Sequence, residues 1–151
     1  MKKAFSLLEI IFVISIIAII ASFALKNNLG LLEKANITKI QAQVALIRSG
    51  INSIKNQRLK LGLLTYPKTL DSALTNVSNE LLFAGTQQEK LLDYPLIATT
   101  TSEKHIGAFA KISSTKYHVF LDKNNYVEFT YKAKEGTFTC NYEDELCKEL
   151  D

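Results

Sequence analysis

The stretch from Phe5 to Leu25, FSLLEIIFVISIIAIIASFAL, decides the fold of this chain. It is apolar almost throughout, and Glu9 is the one ionisable side chain in it. At about 1.5 Å of rise per residue, a helix of this length spans roughly 30 Å, which is the thickness of the hydrocarbon core of a bilayer. The sequence therefore predicts a membrane-spanning helix over residues 5–25.

Glu9 is the feature of this stretch that needs an explanation. A carboxylate in hydrocarbon costs on the order of a few kcal/mol unless a cation pairs with it, and such residues usually have a function. No Lys, Arg or His occurs among residues 4–25. If the chain were cut between Ala4 and Phe5, the new amine of Phe5 would lie one helical turn from Glu9. The segment before this point, residues 1–4, is basic and ends in a small residue, as expected of a leader peptide.

The residues around this point resemble a known signature. The stretch from Lys3 to Ile11, KAFSLLEII, is similar to the N-terminus of type IV prepilins and type II secretion pseudopilins. In that family a peptidase cuts just before a Phe and methylates the new N-terminus, and a glutamate occupies the fifth mature position. The residue before the cut is usually Gly, where this chain has Ala4. The resemblance implies cleavage between Ala4 and Phe5, methylation of Phe5 and a role for Glu9 in assembly.

The resemblance also implies a fold, a function and a set of partners. The fold is α+β and pilin-like, with one long N-terminal helix packed on a small antiparallel sheet of three to four strands. The function is that of a structural subunit of a type II secretion or type IV pilus-like filament, serving protein secretion or DNA uptake. The partners are the prepilin peptidase/methyltransferase, other pilin or pseudopilin subunits and an inner-membrane assembly platform. Major pilins tend to carry a Pro late in the helix, and the first Pro here is Pro67, so a pseudopilin is favoured.

Two other interpretations of the N-terminus remain open. Ser22-Phe23-Ala24 is a small-x-small triplet, and a signal peptidase cutting after Ala24 would release a secreted periplasmic binding protein. Against this, the apolar run is longer than the usual h-region of about 7–15 residues, and a Glu inside such a region is hard to justify. An uncleaved chain would instead be a single-pass membrane-anchored binding module, in which Glu9 has no role.

Charge is informative through its distribution. The formal net charge of the 151 residues is +3, which argues for no particular partner. Lys2 and Lys3 precede the apolar run, so the positive-inside rule places the N-terminus in the cytoplasm and the rest of the chain across the membrane. The resemblance implies that this membrane is the inner membrane of a bacterial cell and that the head lies in the periplasm. Residues 26–60 contain seven basic residues and one acid, whereas the last nine residues contain five acids and one base. The two regions either attract one another between subunits or are two solvated surfaces. Nucleic acid is a possible partner only if the basic residues are exposed.

Cys140 and Cys147 are the only two cysteines. Beyond the membrane they would lie in an oxidising space, so a disulfide between them is expected. The alternative is a pair of free thiols or half of a metal site, although no His or further Cys lies close by in the sequence.

Residues 26–62 have the pattern of a half-buried helix that continues the apolar one. Apolar residues recur at alternating three- and four-residue steps and should line one face: Ile37, Ile40, Val44, Ile47, Ile51, Ile54 and Leu61. The polar residues between them are expected to point outward: Lys39, Gln43, Arg48, Asn52 and Lys55. Gly62 is predicted to end the helix, and the poor helix formers at 27, 28 and 30 favour a bend there.

Residues 63–151 are predicted to form a globular head. A short helix is expected over residues 78–83 within a less patterned connecting segment. From residue 107, four β-rich runs separated by turns predict an antiparallel meander, at 108–112, 116–121, 126–132 and 137–140. Its inner face should pack on the apolar stripe of the helix and should contain Tyr117, Val119, Leu121, Val127, Phe129 and Tyr131.

The sequence offers little catalytic chemistry. It contains no G-x-S-x-G, phosphate-binding loop or zinc pattern, and neither His105 nor His118 has a ligand-like spacing to other donors. Asp122, Asn124 and Asn125 supply oxygens within one turn and are weak candidates for Ca²⁺, but the regular D-x-D-x-D-G spacing is missing and a plain turn is favoured. The chain is interpreted as a substrate of processing enzymes and not as an enzyme, with no cofactor.

Overall fold

The structure is a computed structural model that describes residues 7–150, apart from the side chains of residues 24–31. The predicted leader, the cut between Ala4 and Phe5 and the methylation of Phe5 lie outside the described residues. The chain divides into two compact units, one up to residue 35 and one from residue 36 onward. A long N-terminal helix is followed by strands in two antiparallel sheets and a short C-terminal helix, which confirms the predicted α+β class.

The first element is α1, Leu7–Lys60, a helix of 54 residues. Its sequence is rich in Leu, Ile and Ala and contains no Pro, so nothing in it breaks the ladder of backbone hydrogen bonds. Gly50 lies mid-helix because a Cβ there would come within 2.5 Å of the Leu91 carbonyl oxygen. Among the residues that the structure describes, no helix combines the length and the apolarity that crossing a membrane requires. The bend expected near residue 30 stays a prediction.

The C-terminus of α1 is set by Gly62, as predicted. This glycine has a φ of 79°, in the left-handed region that a residue without a Cβ adopts freely. Its N–H donates to the Leu59 carbonyl and the N–H of Leu63 donates to the Arg58 carbonyl, both at 2.9 Å, which is the Schellman pattern. The chain therefore leaves the helix before Leu61 can extend the apolar stripe. Leu61 is 78% exposed, and its predicted place on the buried face is wrong.

The strands form two separate antiparallel sheets. A two-stranded sheet pairs β1, Leu81–Leu82, with β2, Leu96–Ile97. A four-stranded meander follows, in the order β3, Phe109–Lys111; β4, Lys116–Phe120; β5, Tyr126–Lys132; and β6, Thr137–Cys140. The four predicted strands are thus confirmed with small shifts at their ends. The short helix predicted over residues 78–83 is wrong, because Asn79 and Phe83 have φ values of 64° and 58° and the residues between them pair as β1.

The core lies between the four-stranded sheet and the apolar stripe of α1. Ile40, Val44, Ile47, Ile51 and Ile54 are buried, and Ile37 is half-buried beside them. From the sheet, the expected inner residues Tyr117, Val119, Val127, Phe129 and Tyr131 are buried, and Leu121 is half-buried against the same cluster. Side chains of a β-strand alternate between its two faces, and those of a helix return to one face every three to four residues. The two faces defined in this way pack against each other in one core.

The chain ends in a short helix, α2, Glu145–Leu150. The sulfur atoms of Cys140 and Cys147 lie at bonding distance, with their Cα atoms 5.8 Å apart, so the structure has the predicted disulfide. Cys147 and Leu150 are buried in the main core. The disulfide therefore joins the last strand to a helix that is itself packed against the rest of the head.

Candidate assembly surface

The N-terminal part of α1 carries its apolar side chains on all sides. Every large apolar side chain from Leu7 to Phe23 is at least 44% exposed in the isolated chain, and Glu9 lies exposed among them. Contiguous exposed apolar surface of this kind marks contact with another protein or with a membrane. Within the described residues, no other part of the chain covers this segment. It therefore requires contact with a membrane or with another protein.

A second surface is formed by the outward side of α1 between residues 41 and 57. All of its exposed side chains are uncharged: Gln41, Ala42, Ala45, Leu46, Ser49, Asn52, Ser53, Asn56 and Gln57. Protein surfaces are normally rich in Lys, Glu, Arg and Asp, whereas the centres of interfaces are depleted of charge. We call this set of residues the uncharged face.

The charged residues of the same helical span are turned toward the head. Arg48 donates from Nε to the Phe138 carbonyl at 2.9 Å, and Lys55 donates from Nζ to the Tyr66 hydroxyl at 2.8 Å. The prediction that Arg48 and Lys55 point outward is therefore wrong. Their long side chains reach around the helix to acceptors in the head, which an assignment by helical angle alone does not anticipate.

Arg58 lies just beyond this span and is also bonded within the head. Its Nε and Nη2 atoms each lie 2.5 Å from an oxygen of Glu89, and Nη1 donates to the Tyr66 carbonyl. The hydrogen bond with Arg58 lowers the pKa of Glu89, and the same hydrogen bond raises the pKa of Arg58, with burial opposing both shifts. Together with the bond from Lys55, these contacts hold the loop after α1 against the last turns of the helix.

The other basic residues of α1 are lysines, and those whose side chains the structure describes are exposed. Lys34, Lys39 and Lys60 are exposed, and the side chain of Lys26 lies outside the described residues. The acidic side chains of the tail at 143–145 and 149 are exposed to solvent, while Gln41 donates to the Glu149 carbonyl at 2.7 Å. A nucleic-acid interface thus gains no support from Arg48, Lys55 or Arg58.

The candidate calcium residues meet in one turn but bond to one another. Asp122 Oδ1 accepts the N–H groups of Asn124 and Asn125 at 2.6 and 2.7 Å, and Oδ2 accepts Asn125 Nδ2 at 2.7 Å. These hydrogen bonds lower the pKa of Asp122. Both carboxylate oxygens already have donors, as in a plain Asx-type turn. In the part of the chain that is described, no group of three or more His, Cys, Asp or Glu side chains is arranged to hold a metal.

The two histidines lie on different elements. His105 is exposed on the loop before β3. His118 lies on the outer face of the sheet, where its ring stacks on Tyr126 with centroids 4.1 Å apart and Nε2 is 3.1 Å from Glu128 Oε2. Only 13% of the His118 side chain is exposed.

A buried polar cluster was missed by sequence reasoning. Asp71 and Lys111 form an ion pair of 2.7 Å with side-chain exposures of 0% and 8%, and the Tyr117 hydroxyl donates to Asp71 at 2.9 Å. Burial is the main reason that the pKa of Tyr117 is raised. The available signal was the alternation in β3, which places Lys111 on the same inward face as Phe109.

The chain itself covers the β3 edge of the four-stranded sheet and bonds to one carbonyl on the β6 edge. On the β3 edge, the N–H groups of Asn76 and Thr99 donate to the carbonyls of Lys111 and Phe109 at 2.8 and 2.9 Å. On the β6 edge, Arg48 donates to Phe138. A free sheet edge is a template for pairing with another chain, so this covering disfavours association through the β3 edge.

Comparisons of the chain with protein-family models, with curated proteins and with solved structures return no match.

Proposed function

We propose that this chain is a structural subunit of a pilin-like filament of the type II secretion or type IV pilus kind, and that it is not an enzyme. The observation that carries the proposal is the exposed apolar helix from Leu7 to Phe23 with a single carboxylate, Glu9, near its start. A lone binding module needs no such acid in its anchor. A subunit that packs its helix among identical helices has a use for it.

The head supports the same proposal through the surfaces that it leaves available. The β3 edge of its four-stranded sheet is covered, and Arg48, Lys55 and Arg58 are bonded within the chain. The uncharged face remains, and Ala45, Ser49 and Ser53 follow one another along it at four-residue steps. Small residues at this spacing let a second helix approach closely. Assembly would therefore use both the segment from Leu7 to Phe23 and the uncharged face.

Glu9 would act as the register device of the filament. Prepilin peptidase/methyltransferase would cut between Ala4 and Phe5 and methylate the new amine. The amine of one subunit would then pair with Glu9 of a neighbour in the apolar helix bundle. An uncompensated buried charge costs several kcal/mol, so only the correct register would be stable.

The proposed location follows from the proposed assembly. Before assembly the chain would be a single-pass protein of the bacterial inner membrane, with a cytoplasmic N-terminus and a periplasmic head. The assembly platform would then move it into a periplasmic or surface filament. Of the filaments in this class, a pseudopilin role in protein secretion or DNA uptake is favoured over a major pilin, because no Pro precedes Pro67.

The N-terminal residue of the mature protein tests the proposal. We expect mass spectrometry of protein taken from membranes to show an N-terminal methylated Phe5. An intact Met1 would indicate an anchored binding module, and a start at Leu25 would indicate a secreted periplasmic binding protein. As a matched control, Ala4→Tyr should leave the full-length precursor in the membrane, whereas unchanged processing of this variant would show that the cut lies elsewhere.

A further inference from the structure

The buried pair of Asp71 and Lys111 is placed for covalent chemistry. Lys111 Nζ lies 2.7 Å from Asp71 Oδ1, and the two residues are 40 positions apart in sequence. The pair is buried beside aromatic rings, with Phe83 and Tyr117 centroids 4.7 Å apart. An amine and a carboxyl group held together in this way have a very high effective concentration for each other.

The two oxygens of Asp71 have different surroundings. Oδ2 accepts the backbone N–H of Phe83 at 3.0 Å and the hydroxyl of Tyr117 at 2.9 Å. Oδ1 accepts Lys111 Nζ and, at 3.2 Å, the N–H of Ala73. Two fixed donors on one oxygen are the arrangement that stabilises the charge developing there when a nucleophile attacks a carboxyl carbon.

We propose that Lys111 and Asp71 form an intramolecular isopeptide bond. A proton passes from Nζ to Oδ1 along their hydrogen bond, giving a neutral amine and a neutral acid in a site where charges are costly to bury. The amine then attacks Cγ of Asp71, and the charge that develops on Oδ2 is held by Phe83 N–H and the Tyr117 hydroxyl. A second proton moves from nitrogen to Oδ1, which leaves as water. One C–N bond forms, one C–O bond breaks, and no oxidant or reductant is consumed.

The surroundings also suit the product. The new carbonyl oxygen is Oδ2, which keeps its two donors. The one remaining N–H of the lysine nitrogen faces the Ala73 carbonyl, which already accepts from Nζ at 2.9 Å. The bond would tie the segment between α1 and β1 to strand β3. The head would then have two covalent cross-links, this one between Asp71 and Lys111 and the disulfide between Cys140 and Cys147.

Mass spectrometry of the full chain, purified in detergent and then unfolded and reduced, tests the proposal. The expected mass is lower by one water than that of the same mature polypeptide. In a tryptic digest, Lys111 should resist cleavage, and residues 69–90 should be joined to residues 105–116. A chain of full mass overturns the proposal. So does a water loss confined to residues 69–90, because an aspartyl succinimide at Asp71 has the same mass but no link to Lys111.

Two variants separate the bond from the ion pair. Lys111→Arg keeps a cation opposite Asp71 but offers no amine, so we expect a folded protein of full mass. Tyr117→Phe keeps the ring and removes one donor to Oδ2, so the cross-linked fraction at a fixed time after synthesis should fall, with formation slowed roughly tenfold or more. A Lys111→Arg protein that still lacks one water overturns the assignment to Lys111. Wild-type cross-linking in Tyr117→Phe overturns the role of the hydroxyl.

Discussion

Arg58 and Glu89 form a two-fold hydrogen-bonded ion pair, Nε with Oε1 and Nη2 with Oε2, that joins the last turn of α1 to the loop between β1 and β2. Paired hydrogen bonds of this kind fix orientation as well as distance. Arg58 also donates to the Tyr66 carbonyl, so one side chain anchors two loops. The pair explains how a short two-stranded sheet and a long connecting segment stay attached to the helix.

This pair makes the stability of the head sensitive to acid. The pKa of Glu89 in the folded protein lies below its ordinary value of 4.5, so its contribution is complete above that pH and is lost as the pH falls through the folded pKa. We expect Glu89→Gln to lower the free energy of unfolding at pH 7 by about 1–2 kcal/mol, allowing for partial exposure. Carboxyl groups of this kind titrate between about pH 5 and pH 3. Over that range the free energy of unfolding of Glu89→Gln should fall less than that of the wild type.

Urea unfolding of the full chain in mild detergent, followed by near-UV circular dichroism, measures both effects. Glu103→Gln removes an exposed carboxylate of the same head and is the matched control. It should leave the unfolding midpoint at pH 7 unchanged. An equal acid dependence in wild type and Glu89→Gln would contradict the role assigned to the pair.

Glu9 should be required for assembly and dispensable for insertion. We expect Glu9→Gln and Glu9→Leu to be cleaved and membrane-bound but absent from filaments, because the amine of the neighbouring Phe5 loses its partner. Glu33→Gln removes an exposed acid further along the same helix and serves as the control. Filament yield is measured by shearing or cross-linking, followed by immunoblotting. Normal yield from Glu9→Leu would refute the proposed pairing.

The uncharged face should tolerate no charge once subunits are assembled. We expect Ser49→Lys and Ala45→Glu to reduce filament yield by roughly tenfold or more, because a buried unpaired charge costs several kcal/mol and about 1.4 kcal/mol corresponds to a factor of ten. Both side chains are exposed in the isolated chain, so its unfolding midpoint should not change. Gln87→Lys, on an exposed loop of the head, is the control and should assemble normally. Unimpaired assembly of both helix variants would show that this face remains in solvent.

The disulfide should stabilise the end of the head. Closing the short loop between Cys140 and Cys147 is worth about 2–3 kcal/mol in the chain-entropy account. We expect the double change of both cysteines to Ala to lower the free energy of unfolding by this amount. Hydrogen exchange should then quicken most in α2, where Leu150 packs in the core. Exchange that quickens equally throughout the head would argue against a local effect.

Periodicity in the sequence was sufficient to place the main elements. The three- and four-residue steps from Ile37 to Ile54 and the two-residue alternation around Tyr117 and Phe129 are local properties, and each predicts one buried face. The left-handed residue that ends α1 was identifiable because Gly62 is the first glycine after the stripe. The cysteine pair was predictable because the chain offers only one combination.

The errors lie where distant contacts override local pattern. Residues 78–83 look helical, but pairing with Leu96 and Ile97 and hydrogen bonding of Phe83 N–H to Asp71 hold them in another conformation. Arg48 and Lys55 lie at helical angles that suggest solvent, and acceptors in the head draw them in. Leu61 belongs to the stripe by spacing but follows the last helical turn.

The sequence by itself determined the α+β class, the faces of helix and strands that are buried and the pairing of the cysteines, because each depends on neighbours within a few residues. Only the tertiary structure decided which charged side chains are bonded within the head and which exposed surface carries no charge. The partners of Asp71, Arg48 and Arg58 are 40, 90 and 31 positions away, and no local pattern encodes a contact at that separation. The uncharged face could be recognised only once the contacts of Arg48 and Lys55 within the head were known.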